Sequence, residues 1–125
     1  MQLLLTNSEK VSYLNILFLC TANLNRSKTA EIHFSSKDPG NVYRSAGLSA
    51  KECRRNGTTL CTDAMLEWAD LVYVMEQSHV HRIEQCTGKR FLGKIFNIDI
   101  PDIYRFGETA LIEQLEVRYN HMRNR

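Results

Sequence analysis

Four short segments of the chain are rich in residues that favour strands, and longer segments of mixed polarity separate them. These segments lie at about 14–19, 42–45, 71–75 and 94–98. The first of them, within YLNILFLC, is apolar at nearly every position and too short for a helix. Such a run is typical of a strand that is buried on both faces, as in a parallel sheet. The pattern therefore predicts four strands.

The segments that separate and follow these strands carry the signals of helices. Helices are predicted over 26–36, 63–69 and 78–88, with Thr62 and Ser78 as the N-caps of the second and third. The last helix has the clearest apolar stripe, whose members repeat at helical spacing. That stripe consists of Leu111, Leu115, Tyr119 and Met122.

Strands that alternate with helices four times predict an α/β fold. We expect a three-layer sandwich, in which right-handed crossovers place helices on both faces of a four-stranded parallel sheet. Residues 13–125 are predicted to form a single domain, preceded by an N-terminal extension of residues 1–12. The polar segment 49–61 is predicted as a long loop or a short helical turn. In folds of this class, ligands bind at the carboxyl ends of the strands.

Composition narrows the function classes. The chain has 125 residues, 43% of them hydrophobic, and a formal net charge of +2. That charge is too small and too dispersed for a nucleic-acid binder, and no apolar run approaches the roughly 20 residues of a membrane helix. The N-terminal segment lacks the basic region of a signal peptide. We therefore expect a cytoplasmic protein whose four cysteines are reduced.

The loop after the first strand carries the strongest chemical signal. Cys20 ends that strand, and Arg26, six residues later, begins a helix and is followed by Ser27. A five-residue loop of this kind can turn its backbone N–H groups inward and bind an anion at the helix N-terminus. The planar guanidinium matches two oxygens of a phosphate, and a thiol in these surroundings ionises readily. The segment predicts a phosphate site with a nucleophilic cysteine.

Phosphoryl transfer also needs an acid that protonates the leaving oxygen, and two aspartates after the fourth strand are candidates. Asp102 lies past Pro101 on the loop, at the same sheet edge as Cys20. Strand alternation would point Asp99 toward one face of the sheet instead. We favour Asp102, and the choice between the two aspartates stays open.

The segment ILFLCTANLNRSKTAE resembles the phosphate-binding signature of the low-molecular-weight protein tyrosine phosphatases. The resemblance extends through YRSAG at 43–47, ADLVYVMEQSH at 69–79 and IPDIY at 100–104, in the family's order. It covers about residues 14–119 and is closest to a short bacterial branch. The resemblance implies a flavodoxin-like fold and a cysteine-dependent phosphatase. Such an enzyme hydrolyses a phosphorylated protein or a small phosphate monoester through a cysteinyl-phosphate intermediate, without a metal or other cofactor.

Carried over residue by residue, the resemblance implies roles for the catalytic groups. Cys20 matches the nucleophile, Arg26 the residue that binds the phosphate and stabilises the transition state, and Asp102 the general acid. The phosphate-binding loop implied in this way consists of Thr21, Ala22, Asn23, Leu24, Asn25, Arg26 and Ser27.

The resemblance also implies supporting residues and cleft walls. Asn23 matches the asparagine that holds the loop in shape, Ser27 the serine that hydrogen-bonds the thiolate, and Ser45 a serine that supports the asparagine. Tyr104 keeps an aromatic side chain that lines the substrate cleft. Lys51 stands on the opposite wall where the family has an aromatic residue, which favours a more acidic or smaller substrate.

Two other functions stay open. A non-catalytic module that binds phosphate or a phosphoprotein is favoured by departures from the family pattern at Ala22, Lys28 and Ile103 and by the missing aromatic wall. A thiol oxidoreductase similar to arsenate reductase is suggested by the three further cysteines. Those cysteines are Cys53, Cys61 and Cys86.

Overall fold

The computed structural model describes residues 13–123, which form four strands and five α-helices. The strands are β1 (Asn15–Cys20), β2 (Val42–Gly47), β3 (Leu71–Val74) and β4 (Ile95–Asn97). The helices are α1 (Arg26–Lys37), α2 (Ala50–Asn56), α3 (Asp63–Trp68), α4 (Gln77–Thr87) and α5 (Thr109–Arg123), and the 3-10 turn Leu92–Lys94 precedes β4. The predicted extension, residues 1–12, and the last two residues of the predicted domain lie outside the described residues. None of the helices within 13–123 has the length and hydropathy that crossing a bilayer requires.

The strands form one parallel sheet in the order β2–β1–β3–β4. After β1, the chain forms β2 on one side of it. The next strand, β3, then pairs with β1 on its other side. The carboxyl ends of β1 and β3 therefore flank the point at which the strand order reverses, and ligands of α/β sheets bind at this point. The predicted four-stranded parallel α/β sandwich is confirmed.

Both faces of β1 are covered, which explains why its apolar run has no alternation. Under α1 and α5, the ring of Phe18 meets four aromatic rings whose centroids lie 5.7–6.0 Å away. Those rings belong to Phe34, Tyr43, Tyr73 and Tyr119. On the other face, Leu17 and Leu19 pack with residues of α3 and α4. The two cores fix β1 as the rigid strand from which the loop at Cys20 departs.

β4 is a three-residue strand at the edge of the sheet. The chain that follows it keeps the same direction, because Ile98 N–H donates to the Val74 carbonyl at 2.9 Å and Ile100 N–H donates to the Met75 carbonyl at 3.0 Å. These two bonds tie the chain after β4 to the end of β3. They carry residues 100–102 to the same edge as Cys20.

The segment 49–61, predicted as a loop or a short turn, contains the two-turn helix α2. Ser49 is its N-cap and accepts a hydrogen bond from Glu52 N–H at 3.1 Å, and Gly57 ends it in the left-handed conformation with φ 66°. Thr62 caps α3 as predicted, because its hydroxyl accepts a backbone N–H at 3.2 Å. Caps at both ends therefore stabilise α2, a short helix that the polar composition of the segment did not clearly indicate.

The prediction that Ser78 caps α4 is wrong. The helix begins at Gln77 with Glu76 at the N-cap. The Glu76 carbonyl already accepts the N–H of His79 at 3.1 Å, while Ser78 lies in the first turn and donates to Glu76 Oε1 at 3.3 Å. The Glu76 side chain is held by Arg26, and the helix begins without a side-chain cap.

Gly47, the last residue of β2, lies where the sheet meets the loop after Cys20. A Cβ at this position would lie 2.5 Å from Cys53 Sγ and 2.7 Å from the Thr21 carbonyl oxygen. One of these atoms belongs to the backbone of the loop, so the clash could not be relieved without displacing that loop. The close approach therefore requires glycine.

We expect Gly47→Ala to destabilise the fold by about 1–3 kcal/mol, the usual cost of overpacking. Urea unfolding measures this loss. Gly93→Ala is the matched control, because a Cβ at Gly93 meets nothing within 4 Å. Equal free energies of unfolding for the two variants would contradict the argument.

Candidate active site

The loop between β1 and α1 forms the floor of a cleft of about 450 Å³ at the carboxyl edge of the sheet. Cys20 and Arg26 stand at the two ends of the loop, and Asp102 and one side of α2 complete the lining. The loop residues that line the cleft between these ends are Thr21, Ala22, Leu24 and Asn25, whereas Asn23 and Ser27 are buried beneath it. The structure thus brings the loop predicted from the sequence around one cavity.

Asn23 holds the loop from inside. It is fully buried and has φ 54°, a left-handed conformation that asparagine tolerates better than most residues. Its Nδ2 donates to Ser27 Oγ at 2.8 Å and to Ser45 Oγ at 2.9 Å, and its Oδ1 accepts from Thr59 N–H at 3.4 Å. Ser45 Oγ in turn donates to Glu31 Oε1 at 2.5 Å. The two serines therefore contact Asn23 as expected, and sequence reasoning missed Glu31.

Among the side chains of residues 13–123, that of Ser27 is the close polar neighbour of the Cys20 thiol. It is buried, and its Sγ lies 3.0 Å from Ser27 Oγ. Because Ser27 Oγ accepts a hydrogen from Asn23, its own hydrogen is left for the thiol or for the Ala46 carbonyl, which lies 3.4 Å away. A thiolate is the stronger acceptor, so this geometry can stabilise an ionised sulfur.

Arg26 is a buried charge with partners on three sides. It is 2% exposed, and its Nη1 donates to Glu76 Oε2 at 2.5 Å and to the Ile100 carbonyl at 2.9 Å. Its Nε lies 3.6 Å from Asp102 Oδ1. The hydrogen bond from Arg26 holds the pKa of Glu76 below its usual range. No residue within 13–123 accepts a hydrogen bond from Nη2, so Nε and Nη2 can bind a ligand in the cleft.

The two candidate aspartates, Asp102 and Asp99, lie in different surroundings. Asp102 lines the cleft beside Arg26 and is 61% exposed. Asp99 has a left-handed backbone conformation with φ 54°, its N–H donates to Asn97 Oδ1 at 2.9 Å, and its carboxylate accepts from Asn97 Nδ2 at 3.0 Å. Only Asp102 of the two is positioned to meet a group bound over Cys20.

His79 is a buried polar residue beneath the loop that sequence reasoning did not assign to it. Its Nδ1 accepts the N–H of Met75 at 3.2 Å, so Nε2 carries the ring hydrogen and donates to Thr21 Oγ1 at 3.1 Å. Burial, together with the charge of Arg26, lowers the pKa of His79 to about 4. A neutral imidazole thus joins the end of β3 to the loop. The signal available from the sequence was its position just after a predicted strand.

Two residues expected on the cleft walls do not line it. Lys51 is exposed on α2, whereas Glu52, Arg55 and Asn56, spaced as one helix face, border the cleft. Tyr104 is half-buried and packs against the core cluster that contains Phe18. The wall on α2 is polar, with Arg55 Nη1 3.4 Å from Glu52 Oε2.

All four cysteines are free, and the three besides Cys20 lie outside the lining of the cleft. Cys53 is buried under the loop with its Sγ 3.5 Å from the Thr59 carbonyl. Cys61 and Cys86 border a separate cavity of about 90 Å³. Burial raises the pKa of the Cys61 thiol to about 12. The three thiols are thus divided between the underside of the loop and a separate cavity.

A parallel α/β sheet whose first loop frames an anion site with a thiol and an arginine defines a class of phosphatases. No model of a known protein family matches the chain. A Klebsiella pneumoniae protein provisionally named as a low molecular weight protein-tyrosine-phosphatase is 30% identical over 79% of this chain and 90% of its own. The Acinetobacter johnsonii low molecular weight protein-tyrosine-phosphatase Ptp is 32% identical over 83% of this chain and 93% of its own.

A solved structure agrees with these relatives. The tyrosine phosphatase Wzb from Escherichia coli K30, in complex with phosphate, matches with a TM-score of 0.66 and 26% identity, over 86% of this chain and 94% of its own. The chain belongs to the low-molecular-weight protein tyrosine phosphatase family. It is a cysteine-dependent phosphatase, and the resemblance described from the sequence is confirmed.

The protein should become less stable as the pH is lowered, because of His79. The unfolded chain takes up a proton on this residue near pH 6.5, but the folded protein does so only near pH 4. The stability due to neutral His79 is therefore complete above pH 6.5 and is lost as the pH falls toward 4. The loss is on the order of 3 kcal/mol. The facing charges are Arg26, Glu76, Asp102 and Arg82.

Urea unfolding of the wild type and His79→Asn between pH 7 and pH 4 measures this effect. We expect the variant to be less stable at pH 7 and the difference to shrink as the pH falls, since only the wild type loses the histidine contribution. His81→Asn, at an exposed position of α4, is the matched control and should follow the wild type. A difference that stays constant across this range would contradict the assignment.

Proposed function

We propose that the chain hydrolyses phosphate monoesters in two steps, with Cys20 as the nucleophile, Arg26 as the phosphate ligand and Asp102 as the general acid and base. One observation carries the proposal: the thiol and the buried guanidinium lie on the floor of one cleft whose lining includes the Asp102 carboxylate. Phosphoryl transfer needs a nucleophile, charge stabilisation and a proton donor at one place. This cleft holds one group of each kind.

In the first step, the thiolate of Cys20 attacks phosphorus while the bond from phosphorus to the ester oxygen breaks. Protonated Asp102 transfers its proton to that oxygen, so the leaving group departs as a neutral alcohol or phenol. The Nε and Nη2 groups of Arg26, together with N–H groups of the loop, bind the three remaining oxygens. Their fixed positions stabilise the charge that develops in the transition state. Ser27 donates to the sulfur before it attacks.

In the second step, water attacks the phosphorus of the cysteinyl phosphate. Asp102, now a carboxylate, accepts a proton from that water, and the bond between phosphorus and sulfur breaks. The Cys20 thiolate forms again and accepts the hydrogen bond of Ser27, which makes it a better leaving group. The products are inorganic phosphate and protonated Asp102, so the site is ready for another turnover.

The names of both relatives supply the first substrate class to test, since each is called a protein-tyrosine-phosphatase. On that ground, we propose phosphotyrosine in proteins as the substrate of this chain. The wall formed by Glu52, Arg55 and Asn56 provides no aromatic stacking for the tyrosine ring. We therefore expect selectivity to depend on contacts outside the phosphate site.

Four free thiols further support a reducing compartment such as the cytoplasm.

We expect Cys20→Ser to lower the hydrolysis of para-nitrophenyl phosphate by at least about a thousandfold, because the covalent route is lost. Calorimetry should still detect the binding of inorganic phosphate, since Arg26 and the loop remain. Cys86→Ser, at an exposed thiol outside the cleft, is the matched control and should keep full activity. Undiminished turnover in Cys20→Ser would refute the mechanism. Phosphate binding by a wild type without turnover would indicate the non-catalytic binding module.

We expect Asp102→Asn to lower kcat by about 10²–10⁴-fold for an alkyl phosphate, since the leaving oxygen loses its proton donor. The loss should be smaller for para-nitrophenyl phosphate, whose phenolate leaves without full protonation. Asp99→Asn is the matched control and should change kcat little, because that side chain bonds Asn97 and does not line the cleft. If Asp99→Asn were impaired instead of Asp102→Asn, the acid would have to be reassigned.

A further inference from the structure

Glu31, on α1, stands at the end of a chain of hydrogen bonds that begins at the Cys20 thiol. Its Oε1 accepts the hydrogen of Ser45 Oγ at 2.5 Å. Asn23 Nδ2 lies 2.9 Å from Ser45 Oγ and 2.8 Å from Ser27 Oγ. Ser27 Oγ in turn lies 3.0 Å from Cys20 Sγ. Consecutive contacts therefore join a glutamate that does not line the cleft to the sulfur at its floor.

The carboxylate of Glu31 fixes the direction of these hydrogen bonds. A carboxylate only accepts, so Ser45 must donate its single hydrogen to Glu31. The oxygen of Ser45 is then left to accept from Asn23, which requires the amide nitrogen of Asn23, and not its oxygen, to face both serines. Ser27 accepts from the same nitrogen, and its own hydrogen stays available to the sulfur.

The reverse orientation of the Asn23 amide would take this hydrogen away from the sulfur. The amide oxygen would then accept from both serines, and the Ser27 hydrogen would point to that oxygen. Ser45 could join this arrangement only by withdrawing its hydrogen from Glu31. On the other side of the amide, Thr59 N–H lies 3.4 Å from Asn23 Oδ1, a long contact that constrains the amide weakly. The 2.5 Å bond to Glu31 is therefore the stronger constraint on the orientation of Asn23.

The position of Glu31 is itself held on both sides. It follows Ser27 by four residues on α1, and both side chains reach β2, at Ser45 and at the Ala46 carbonyl. On the other side, Lys28 Nζ lies 3.7 Å from the oxygen that accepts from Ser45. An ammonium group can only donate, so this contact also keeps that oxygen an acceptor.

We propose that Glu31 is a positioning residue for the nucleophile. By accepting from Ser45, it holds the Asn23 amide in the orientation that leaves the Ser27 hydrogen for the thiolate. The proposal rests on the proposed function and deepens it, because it names a group outside the cleft that prepares the sulfur for attack. It also predicts a sign. A negative charge that acted by repulsion alone would disfavour the thiolate, so its removal would favour ionisation, whereas loss of the Glu31 acceptor should do the opposite.

The rate at which iodoacetamide alkylates Cys20, followed by mass spectrometry of the peptide that contains it, reports the thiolate without any need for turnover. We expect Glu31→Ala to slow this reaction by about tenfold at pH 6, as the loss of one hydrogen bond to an ion implies. The two rates should converge as the pH rises, because the thiol then ionises without the hydrogen bond. Glu31→Gln keeps an acceptor oxygen without the charge and should react at nearly the rate of the wild type. Glu113→Ala, which removes an exposed carboxylate of α5, is the matched control and should change nothing.

Ser27→Ala distinguishes this route from a general loosening of the loop. It removes the last link before the sulfur, so the addition of Glu31→Ala to Ser27→Ala should slow the alkylation no further. Losses that multiply in the double variant would overturn the proposal. So would a Glu31→Ala thiol that reacts faster than the wild type, a loss that is equal at every pH, or a loss in Glu31→Gln as large as that in Glu31→Ala. Glu31→Leu, which accepts no hydrogen bond but fills the space, carries the same expectation and replaces Glu31→Ala if that variant does not fold.

The role of Glu31 and the proposed function can fail separately. If the wild type turned over no para-nitrophenyl phosphate, the proposed function would fail, and the alkylation series would still decide the role of Glu31. If the wild type hydrolysed the ester through Cys20 but Glu31→Ala alkylated at the rate of the wild type, the positioning role alone would be overturned.

Discussion

The burial of one charge, the guanidinium of Arg26, sets the arrangement of the whole site. A buried cation is costly unless it is paired and hydrogen-bonded, and the cation and its partners come from the ends of three neighbouring strands. The loop after β1 supplies Arg26 itself, the chain just after β3 supplies Glu76, and the chain after β4 supplies the carbonyl of Ile100. Satisfying a single side chain therefore draws three strand ends into one cleft. Asp102 reaches that cleft because it stands two residues beyond Ile100.

The loop around this cation is held by neutral groups. On the side of β2, buried Asn23 adopts a left-handed conformation and bonds two serines. On the side of β3, the imidazole of His79 donates to Thr21. Neither contact places a further charge beside the thiol, so Arg26 and the loop N–H groups are left to meet the charge of a bound phosphate. The side chains of Asn23 and His79 maintain the shape of the loop without a charge of their own, and Arg26 supplies a positive charge at the floor of the cleft.

Whether a part of the site could be predicted from the sequence depended on how far apart its residues lie along the chain. Cys20 and its arginine were predicted because strand, loop and helix are consecutive, and their geometry is local. The position of Asp102 in the cleft followed from the rule that parallel strands share a carboxyl edge. Glu76 and His79 were missed because only the pairing of β3 with β1 brings them under the loop. Lys51 was assigned to a wall from its position in the family pattern, whereas the face that borders the cleft depends on the helix α2, which the polar composition of the segment concealed.

The shortness of β4 has a consequence for how the enzyme loses activity. Three residues at the edge of the sheet, extended by the hydrogen bonds of Ile98 and Ile100, hold the segment that carries Asp102. Local opening costs least where few contacts must break, and an edge strand is such a place. β1 is enclosed by two cores and opens only with the whole fold. We therefore expect amide hydrogens after β4 to exchange through fluctuations that leave Cys20 protected, and the segment that carries Asp102, the proposed general acid, to be the first part of the site lost on warming.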